Sequence, residues 1–177
     1  DKKFRILQEN TAERSTIAGD DAMIQNVFLN IGINASHAMA DGGTLTFTVR
    51  NTVLDDAFCK TGPFGAEPGD FIEIEISDTG CGMSPETLPH IFEPFFTTKE
   101  QGKGTGLGLS VAYGTIQDHH GIINVHSTPG EGTVFSIYLP VSSGETAADD
   151  RKEEIISGSG TILLVDDEEL IRITAKR

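Results

Sequence analysis

The chain has 177 residues, of which 37% are hydrophobic and 23% are charged, and its formal net charge is −14. This composition predicts a soluble protein with one ordinary domain, plus a remainder too short to fold alone, and no apolar run approaches the length of a membrane span. The negative charge argues against general nucleic-acid binding, which needs a basic surface, and it repels polyphosphates from the molecule as a whole.

The first part of the chain predicts short strands around one long helix. Residues 4–7 and 15–18 are strand-like, and Asp20 is a typical helix start because a carboxylate caps free backbone N–H groups. Apolar residues then recur at helical spacing over 24–39, which predicts a helix with one core face. Residues 44–49 alternate like a strand.

The middle of the chain predicts a surface loop, a strand and two helices. Residues 54–70 hold three Gly and two Pro without periodicity and are predicted to be a loop, whereas 71–76 alternate strictly, as in a half-buried strand. A short helix is predicted at 85–90 and a second long helix from 106–108 to about His119. Residues 122–138 predict a β-hairpin that turns at a Pro-Gly-Glu-Gly sequence.

The end of the chain changes in composition. After Pro140 it is rich in Ser, Gly, Glu, Ala and Asp, which is typical of a linker, and this linker is predicted to span 142–160. Residues 161–169 then predict a buried-type strand that runs into an acidic cluster. Strands interleaved with two long helices predict an α/β two-layer sandwich with helices on one face of a mixed sheet.

Asn30, Asn34 and His37 form one stripe on the first predicted helix, because residues at this spacing share a face. The stripe flanks the apolar face, where polar side chains naturally line a cleft. An Asn carbonyl oxygen is a suitable ligand for Mg²⁺, whose other ligands are usually water and phosphate oxygens. The alternative is that both amides bond to neighbouring backbone.

The segment Asp78-Thr79-Gly80-Cys81-Gly82-Met83 directly follows the 71–76 strand. A carboxylate at the end of a strand can accept a hydrogen bond from the exocyclic amine of a purine, and nearby glycines let the backbone approach the ring. The alternative is a common Asp-Gly turn.

Residues 102–110 carry four alternating glycines that enter the second long helix. Backbone N–H groups of such a loop, together with the helix N-terminus, are suited to cradling phosphate, and Lys99 and Lys103 add positive charge. The pattern is neither the Rossmann nor the P-loop sequence. A flexible linker is the alternative, but Leu107 and Leu109 lead straight into a helix.

Three aromatic residues surround Pro94 in the segment 91–99. Such residues are ordinarily core, but here they precede the glycine-rich stretch. We therefore expect a hinge that anchors a lid over a nucleotide.

In this order the four segments resemble the nucleotide-binding domain of sensor histidine kinases, within the GHKL (Bergerat-fold) ATPase superfamily. The resemblance covers residues 1–141 and implies a Bergerat-type ATP-binding fold. The N box, first glycine box, F box and second glycine box of the family match residues 30–39, 78–82, 92–96 and 104–108, respectively.

The resemblance implies a role for each part of the site, with ATP and Mg²⁺ as the ligands. Asn34 matches the magnesium ligand and Asp78 the adenine-reading carboxylate, while Asn30, Asn34 and His37 are the expected catalytic residues. The residues expected to contact Mg²⁺·ATP are Asn30, Asn34, His37, Asp78, Gly80, Gly82, Met83, Phe95, Lys99, Lys103, Gly104, Thr105, Gly106, Leu107, Gly108, Leu109 and Thr133.

The tail, residues 161–177, resembles the first strand and acidic pocket of a response-regulator receiver domain, with Asp166 and Asp167 matching its acidic pair. The phosphate-accepting aspartate of such a domain would lie beyond Arg177. The resemblance implies a hybrid kinase, in which a sensor kinase is fused to a receiver. The alternative is a chance strand followed by an acidic turn.

The chain contains no convincing acceptor histidine for a kinase of this class. His90 lies inside the F-box match, and His119 and His120 close a predicted helix. Because the chain also lacks an initiating Met and a signal peptide, we expect it to be a fragment whose dimerisation and phosphoacceptor domain lies upstream. The parent is expected to be a homodimer that a membrane anchor can hold, and the fragment is expected to be a cytoplasmic monomer with free thiols and no membrane contact.

Three functions compete at this stage. The first is phosphoryl transfer to an external histidine. The second is ATP hydrolysis, as in gyrase and the heat-shock chaperones, which carry a glutamate base one helical turn before the magnesium Asn. Here that place holds Asn30, an amide that cannot accept a proton from water at neutral pH, so transfer is favoured. The third is a binding module gated by ATP.

Overall fold

The structure is a computed structural model that describes residues 4–59, 66–99 and 104–142. The predicted receiver-like piece and all of the predicted linker except Ser142 lie outside these residues. In chain order the elements are strand β1 (Phe4–Asn10), helix α1 (Asp21–Ala38), strand β2 (Gly43–Leu54), the one-turn helix α2 (Asp56–Cys59), strand β3 (Gly69–Asp78), a 3₁₀ turn (Leu88–His90), helix α3 (Gly108–Asp118), strand β4 (Ile122–Thr128) and strand β5 (Gly132–Pro140).

The five strands form one mixed sheet in the order β1-β2-β3-β5-β4. Strand β1 is parallel to β2, while β2, β3, β5 and β4 pair antiparallel along the sheet. Parallel neighbours need a crossover, and α1 supplies it between β1 and β2. The predicted hairpin is confirmed as β4–β5, and β3 becomes the central strand that ends at Asp78.

Helix α1 begins where the sequence predicts. The Asp20 carboxylate accepts a hydrogen bond from the backbone N–H of Met23 at 2.9 Å and so caps the first turn. The buried face carries Ile24, Val27 and Ile31, which are the predicted apolar positions. The polar stripe next to this buried face does not take part in the core, so it is available to line a site.

Helix α3 packs beside α1 on the same face of the sheet and completes the main core. Its Ala112 and Ile116 are fully buried, as is Ile137 on β5. These side chains join the apolar face of α1 and Ile76 of β3 in one cluster. Both long helices thus cover one face of a mixed sheet, which confirms the predicted two-layer architecture.

The opposite face of the sheet carries a smaller cluster under α2. Cys59 packs there against Leu54 and Phe71, and burial raises the pKa of its thiol. On the same face the nearly buried carboxylate of Glu73 accepts two hydrogen bonds from the guanidinium of Arg50, at 2.6 and 2.9 Å. These two residues are direct cross-strand partners, so the sheet register itself neutralises the buried charge.

Three local predictions were inaccurate. The predicted loop 54–70 contains the helix α2, which the Asp55 carboxylate caps by accepting from the N–H of Phe58 at 2.8 Å. The helix predicted at 85–90 is only the 3₁₀ turn, since Pro89 has no N–H group to donate to the carbonyl of Pro85, four residues before it, as an α-helix over this range would require. The predicted strand 15–18 is reduced to a single bridge between Ile17 and Val141.

Candidate nucleotide-binding site

The four sequence segments meet around one cavity of about 430 Å³. Helix α1 forms one wall and the start of α3 another, while the end of β3 and the neighbouring β5 strand form the base. The aromatic segment after the 3₁₀ turn completes the rim. Its size suits a nucleotide-sized ligand, because ligand sites typically span about 300 to 1,000 Å³.

The polar stripe of α1 faces this cavity, as the sequence predicts. Asn30, Asn34 and His37 all contribute to its lining, and so does Ile33 from the same helical turn. The side-chain oxygen of Asn30 points at the start of α3, where a Cβ atom built on Gly108 would lie 3.1 Å from it. A residue with a side chain at that position would crowd the Asn30 amide.

Lys99 lines the cavity and bonds to the stripe. Its ammonium donates to Asn34 Oδ1 at 3.0 Å and lies 2.8 Å from His37 Nδ1. Since an ammonium has no acceptor, the imidazole nitrogen must accept, which places the proton of a neutral His37 on Nε2. Among the Lys and Arg side chains in the described part of the chain, Lys99 alone lines the cavity.

Asp78 forms the deepest charged group of the site, with only 7% of its surface exposed. Burial raises the pKa of this carboxyl, while hydrogen bonds from the backbone N–H groups of Gly80 and Thr133 pull the pKa back down. The Gly80 bond measures 2.8 Å. A buried carboxylate held by fixed donors is suited to accepting one further hydrogen bond from a ligand amine.

The first glycine segment turns sharply under the β4–β5 hairpin. Gly82 has φ +65°, and a Cβ atom there would lie 2.0 Å from the carbonyl oxygen of Thr128, so only glycine fits. The carbonyl of Cys81 accepts from Gly130 N–H at 2.7 Å, and Met83 N–H donates to Ser127 Oγ at 2.8 Å. The hairpin thereby fixes the loop that follows Asp78.

The second glycine segment leads into α3 and is tied to the aromatic segment. Phe95 N–H donates to the carbonyl of Gly106 at 2.9 Å, and Gly106 has φ +66° with its Cα against the Phe95 backbone. Leu107, at the N-cap of α3, provides no side-chain cap. The first N–H groups of α3 therefore keep their donor capacity at the side of the cavity, where an anion is favoured.

The structure brings most of the predicted contact residues together. The predicted residues that line the cavity are Asn30, Asn34, His37, Asp78, Gly82, Met83, Lys99, Gly104, Thr105, Gly106, Gly108, Leu109 and Thr133. Gly80 packs behind Asp78 instead, Phe95 is 73% exposed, and Leu107 is outside the lining. Lys103 lies outside the described residues.

Several lining residues were missed by the sequence reasoning. They are Ile33, Ala35, Ala38, Cys81, Thr87, Ile91, Phe96, Thr97, Thr98 and Phe135. Helical spacing from Asn30 was a sufficient signal for Ile33. Phe96 rather than Phe95 faces inward because the positive φ of Phe95, +67°, turns that side chain outward. Thr87 and Ile91 carry no sequence signal for a site.

Two of the histidines outside the cavity, His90 and His119, have structural partners. His90 Nδ1 lies 2.8 Å from the Glu93 carboxylate, and both residues are exposed. His119 Nε2 accepts from Asp20 N–H at 3.0 Å, while its Nδ1 lies 2.7 Å from the carbonyl of Thr115. These contacts leave the expectation of an external acceptor histidine unchanged.

Comparisons with known proteins identify the family of this chain. Residues 19–143 match the family of histidine kinase-, DNA gyrase B- and HSP90-like ATPases. The chain is similar to sensor kinase CckA of Brucella abortus, with 41% identity over 171 residues that cover 91% of this chain and 18% of the relative. It is also similar to sporulation kinase E of Bacillus subtilis, with 40% identity over 131 residues, 74% of this chain and 15% of the relative.

A solved structure gives the same fold. The catalytic domain of histidine kinase ThkA is 27% identical with a TM-score of 0.59, and the match covers 78% of this chain and 79% of that one. The chain spans less than a fifth of the length of the two curated relatives. Family, relatives and fold agree, and the chain therefore belongs to the histidine kinase-, DNA gyrase B- and HSP90-like ATPases, as the ATP-binding catalytic domain of a histidine kinase.

Proposed function

We propose that this chain binds Mg²⁺·ATP and transfers the γ-phosphoryl group to a histidine on a dimerisation domain outside the chain, as the catalytic part of a two-component hybrid sensor kinase. The observation that carries the proposal is the pair Asn30 and Asn34 on one wall of the cavity. Asn34 offers an oxygen to a cation. Asn30 occupies the place of a hydrolytic base without being able to accept a proton.

The geometry supports a separate role for each end of the cavity. Asp78 accepts from the adenine amino group, with Gly82, Met83 and Thr133 around the ring. The phosphates lie towards Gly104, Thr105 and Gly106 and the N-terminal N–H groups of α3, which Gly108 and Leu109 begin. Gly80, Phe95, Leu107 and Lys103 remain predicted contacts without a place in the lining.

The residues present also fit Mg²⁺. A side-chain cation already lies 3.0 Å from Asn34 Oδ1, so this oxygen faces a position where positive charge is accommodated. Among the described residues, no group of three or more His, Cys, Asp or Glu side chains is placed to hold a metal. A magnesium ion at Asn34 would therefore be held jointly with nucleotide phosphates and water, as is usual for Mg²⁺.

The chemistry is positioning and charge neutralisation. A ring nitrogen of the acceptor histidine bonds to the γ-phosphorus, the bond from that phosphorus to the β,γ-bridging oxygen breaks, ADP leaves, and the imidazole proton passes to solvent. When bound, magnesium neutralises the phosphate charge. In this chain, Asn34 would hold that ion, the α3 N-terminus stabilises the negative charge of the phosphates, and His37 lines the same wall as Asn34.

The decisive experiment supplies the parent kinase's dimerisation domain in trans, with γ-labelled ATP. We expect phosphohistidine to form with the wild-type chain and Asn34→Ala to reduce its rate by about a hundredfold or more, because one phosphate-orienting ligand is lost. Asn30→Asp serves as a matched variant, since it introduces a carboxylate at the position where the hydrolases carry their base.

Two other outcomes would contradict the proposal. Steady ATP turnover by the wild-type chain alone, abolished by Asn34→Ala, would favour the ATP hydrolase. ATP binding without any phosphohistidine would favour a module gated by ATP. Both alternatives use the same cavity, so nucleotide affinity by itself does not separate them.

The remainder of the proposal concerns the rest of the chain. The resemblance of the tail to the first strand and acidic pocket of a receiver domain supports a linker at 142–160 and a receiver domain that starts at 161–177. We propose that the fragment is cytoplasmic and that its parent protein is a homodimer. No helix in the described part of the chain is long and apolar enough to cross a bilayer.

A further inference from the structure

The ammonium of Lys99 donates a hydrogen bond to Asn34 Oδ1, the same oxygen that the proposed function assigns to magnesium. Its ammonium lies 3.0 Å from Asn34 Oδ1 and 2.8 Å from His37 Nδ1, so two acceptors from one face of α1 fix it. The partners are 65 and 62 residues away in sequence, and the lysine is partly buried. The tertiary structure therefore brings the lysine and its two acceptors together.

A magnesium ion and this ammonium cannot both stay on the Asn34 oxygen. Mg²⁺ binds oxygen at about 2.1 Å. With the ammonium 3.0 Å from the same atom, the two cations would be separated by at most 2.1 + 3.0, roughly 5 Å. Like charges at that separation, inside a partly enclosed cavity, repel each other strongly.

Negative charge around the cavity favours a bound cation when magnesium is absent. The chain carries a net charge of −14, and buried Asp78 lines the same cavity. Of the Lys and Arg side chains in the described ranges, Lys99 alone faces it. The ammonium thus supplies the positive charge at the place where a metal would supply it.

From this geometry we infer that Lys99 is a placeholder for Mg²⁺: its ammonium occupies the metal position on Asn34 in the empty site and gives way when the metal-bound nucleotide enters. The inference rests on the proposed function, because it takes Asn34 as the metal ligand. It assigns Lys99 a part in setting how strongly nucleotide binding depends on magnesium, which a lysine that only contacts phosphate does not have.

The test measures magnesium coupling, defined as the Kd of the β,γ-imido analogue of ATP in EDTA divided by its Kd in saturating Mg²⁺. Calorimetry on the full chain gives both constants. In Lys99→Met the EDTA value rises, because no cation remains on Asn34, while the Mg²⁺ value stays equal or falls, because the competitor is gone. We expect the coupling to increase about tenfold, as for the loss of one charge-assisted hydrogen bond.

Three variants control for charge and folding. Lys99→Gln repeats the loss of charge with a polar side chain and should also raise the coupling. Lys99→Arg retains a cation and should stay near wild type. Arg14→Met removes one positive charge beside Asp70, at the end of β3 opposite Asp78, and should leave the coupling unchanged.

The outcomes separate this inference from the proposed function. If Lys99→Met and Lys99→Gln weaken both Kd values equally, the coupling stays constant and Lys99 is only a phosphate contact, so the placeholder role is wrong. If Asn34→Ala still abolishes the coupling in that case, the metal assignment survives. If Asn34→Ala leaves the coupling intact, the metal assignment fails and the placeholder role fails with it.

Discussion

The binding role that we propose for Asp78 conflicts with the effect of this residue on stability. Burial raises the pKa of the carboxyl, and the backbone N–H groups of Gly80 and Thr133 offset this only in part. A raised pKa in the folded state means that folding favours the protonated form. Stability therefore falls as pH rises from the ordinary value for Asp, about 3.9, through the raised folded pKa, and the loss persists above it.

Asp78→Asn should consequently stabilise the domain while weakening ATP binding. The amide carries no charge to desolvate, so at pH 7 the free energy of unfolding should increase, and the gain should vanish below about pH 4. Affinity for ATP should fall about a hundredfold, because an amide has one acceptor oxygen where the carboxylate has two. The adenine amine then faces either an N–H donor or a position without an acceptor. Urea unfolding at pH 4 and 7, with calorimetry for ATP, tests both parts. A variant less stable than wild type at pH 7 would contradict this account.

Gly82 and Gly130 both have a positive φ, so alanine substitutions at the two positions separate the cost of backbone strain from the cost of a steric clash. A Cβ on Gly82 would lie 2.0 Å from the Thr128 carbonyl oxygen, whereas a Cβ on Gly130 would meet nothing within 4 Å. Gly130→Ala should cost about 1 kcal/mol from φ alone. Gly82→Ala should cost more than about 3 kcal/mol and also weaken ATP binding, because the loop after Asp78 must move. Equal unfolding free energies for the two variants would exclude the steric explanation.

At the level of elements, His119 joins the two helices that form the walls of the cavity. Its Nε2 accepts from Asp20 N–H just before α1, and its Nδ1 is bonded to the Thr115 carbonyl within α3. The neighbouring Gly19 leaves room for the ring, since a Cβ there would lie 2.3 Å from His119 Cδ2. This contact fixes the start of one helix against the end of the other.

His119→Ala should therefore lower the free energy of unfolding by about 1 to 2 kcal/mol, because the Asp20 N–H loses its partner and the ring packing is lost. His120→Gly is the matched variant: His120 is exposed with φ +56°, so glycine should stabilise by about 0.5 to 1 kcal/mol. Denaturant unfolding measures both. Equal effects at the two positions would rule out the bridging role of His119.

Elements with a strong local signal were predictable. The apolar period and the Asp20 cap defined α1, and strict alternation defined the 71–76 part of β3. Helix α2 was missed because one turn has no period, and its cap, Asp55, lies in a Gly- and Pro-rich stretch that favours a loop. Strand β2 runs on to Leu54 because it pairs with β3 along its length, which local sequence does not specify.

At the scale of the whole molecule, the chain is strongly acidic and binds an acidic ligand through a few local features. The stripe on α1, Asp78 and the glycine segments were predictable, because each residue type has a specific chemistry. The bond from Lys99 to Asn34 was not predictable, because it joins residues 65 positions apart. The same holds for Phe96, since the outward turn of Phe95 depends on backbone packing against Gly106.

The two ends of β3 lie at opposite sides of the domain, and this has a practical consequence. Val141 N–H bonds to the Asp70 carbonyl and Ser142 N–H to that of Thr16, so the described chain leaves the sheet at the Asp70 end. From Asp70 to Asp78 are eight strand steps of about 3.4 Å, roughly 27 Å. A fluorophore attached at position 142 would thus sit clear of the cavity, yet close enough for resonance energy transfer to a labelled nucleotide. Nucleotide occupancy could then be followed optically, without a label on any protein residue of the binding site.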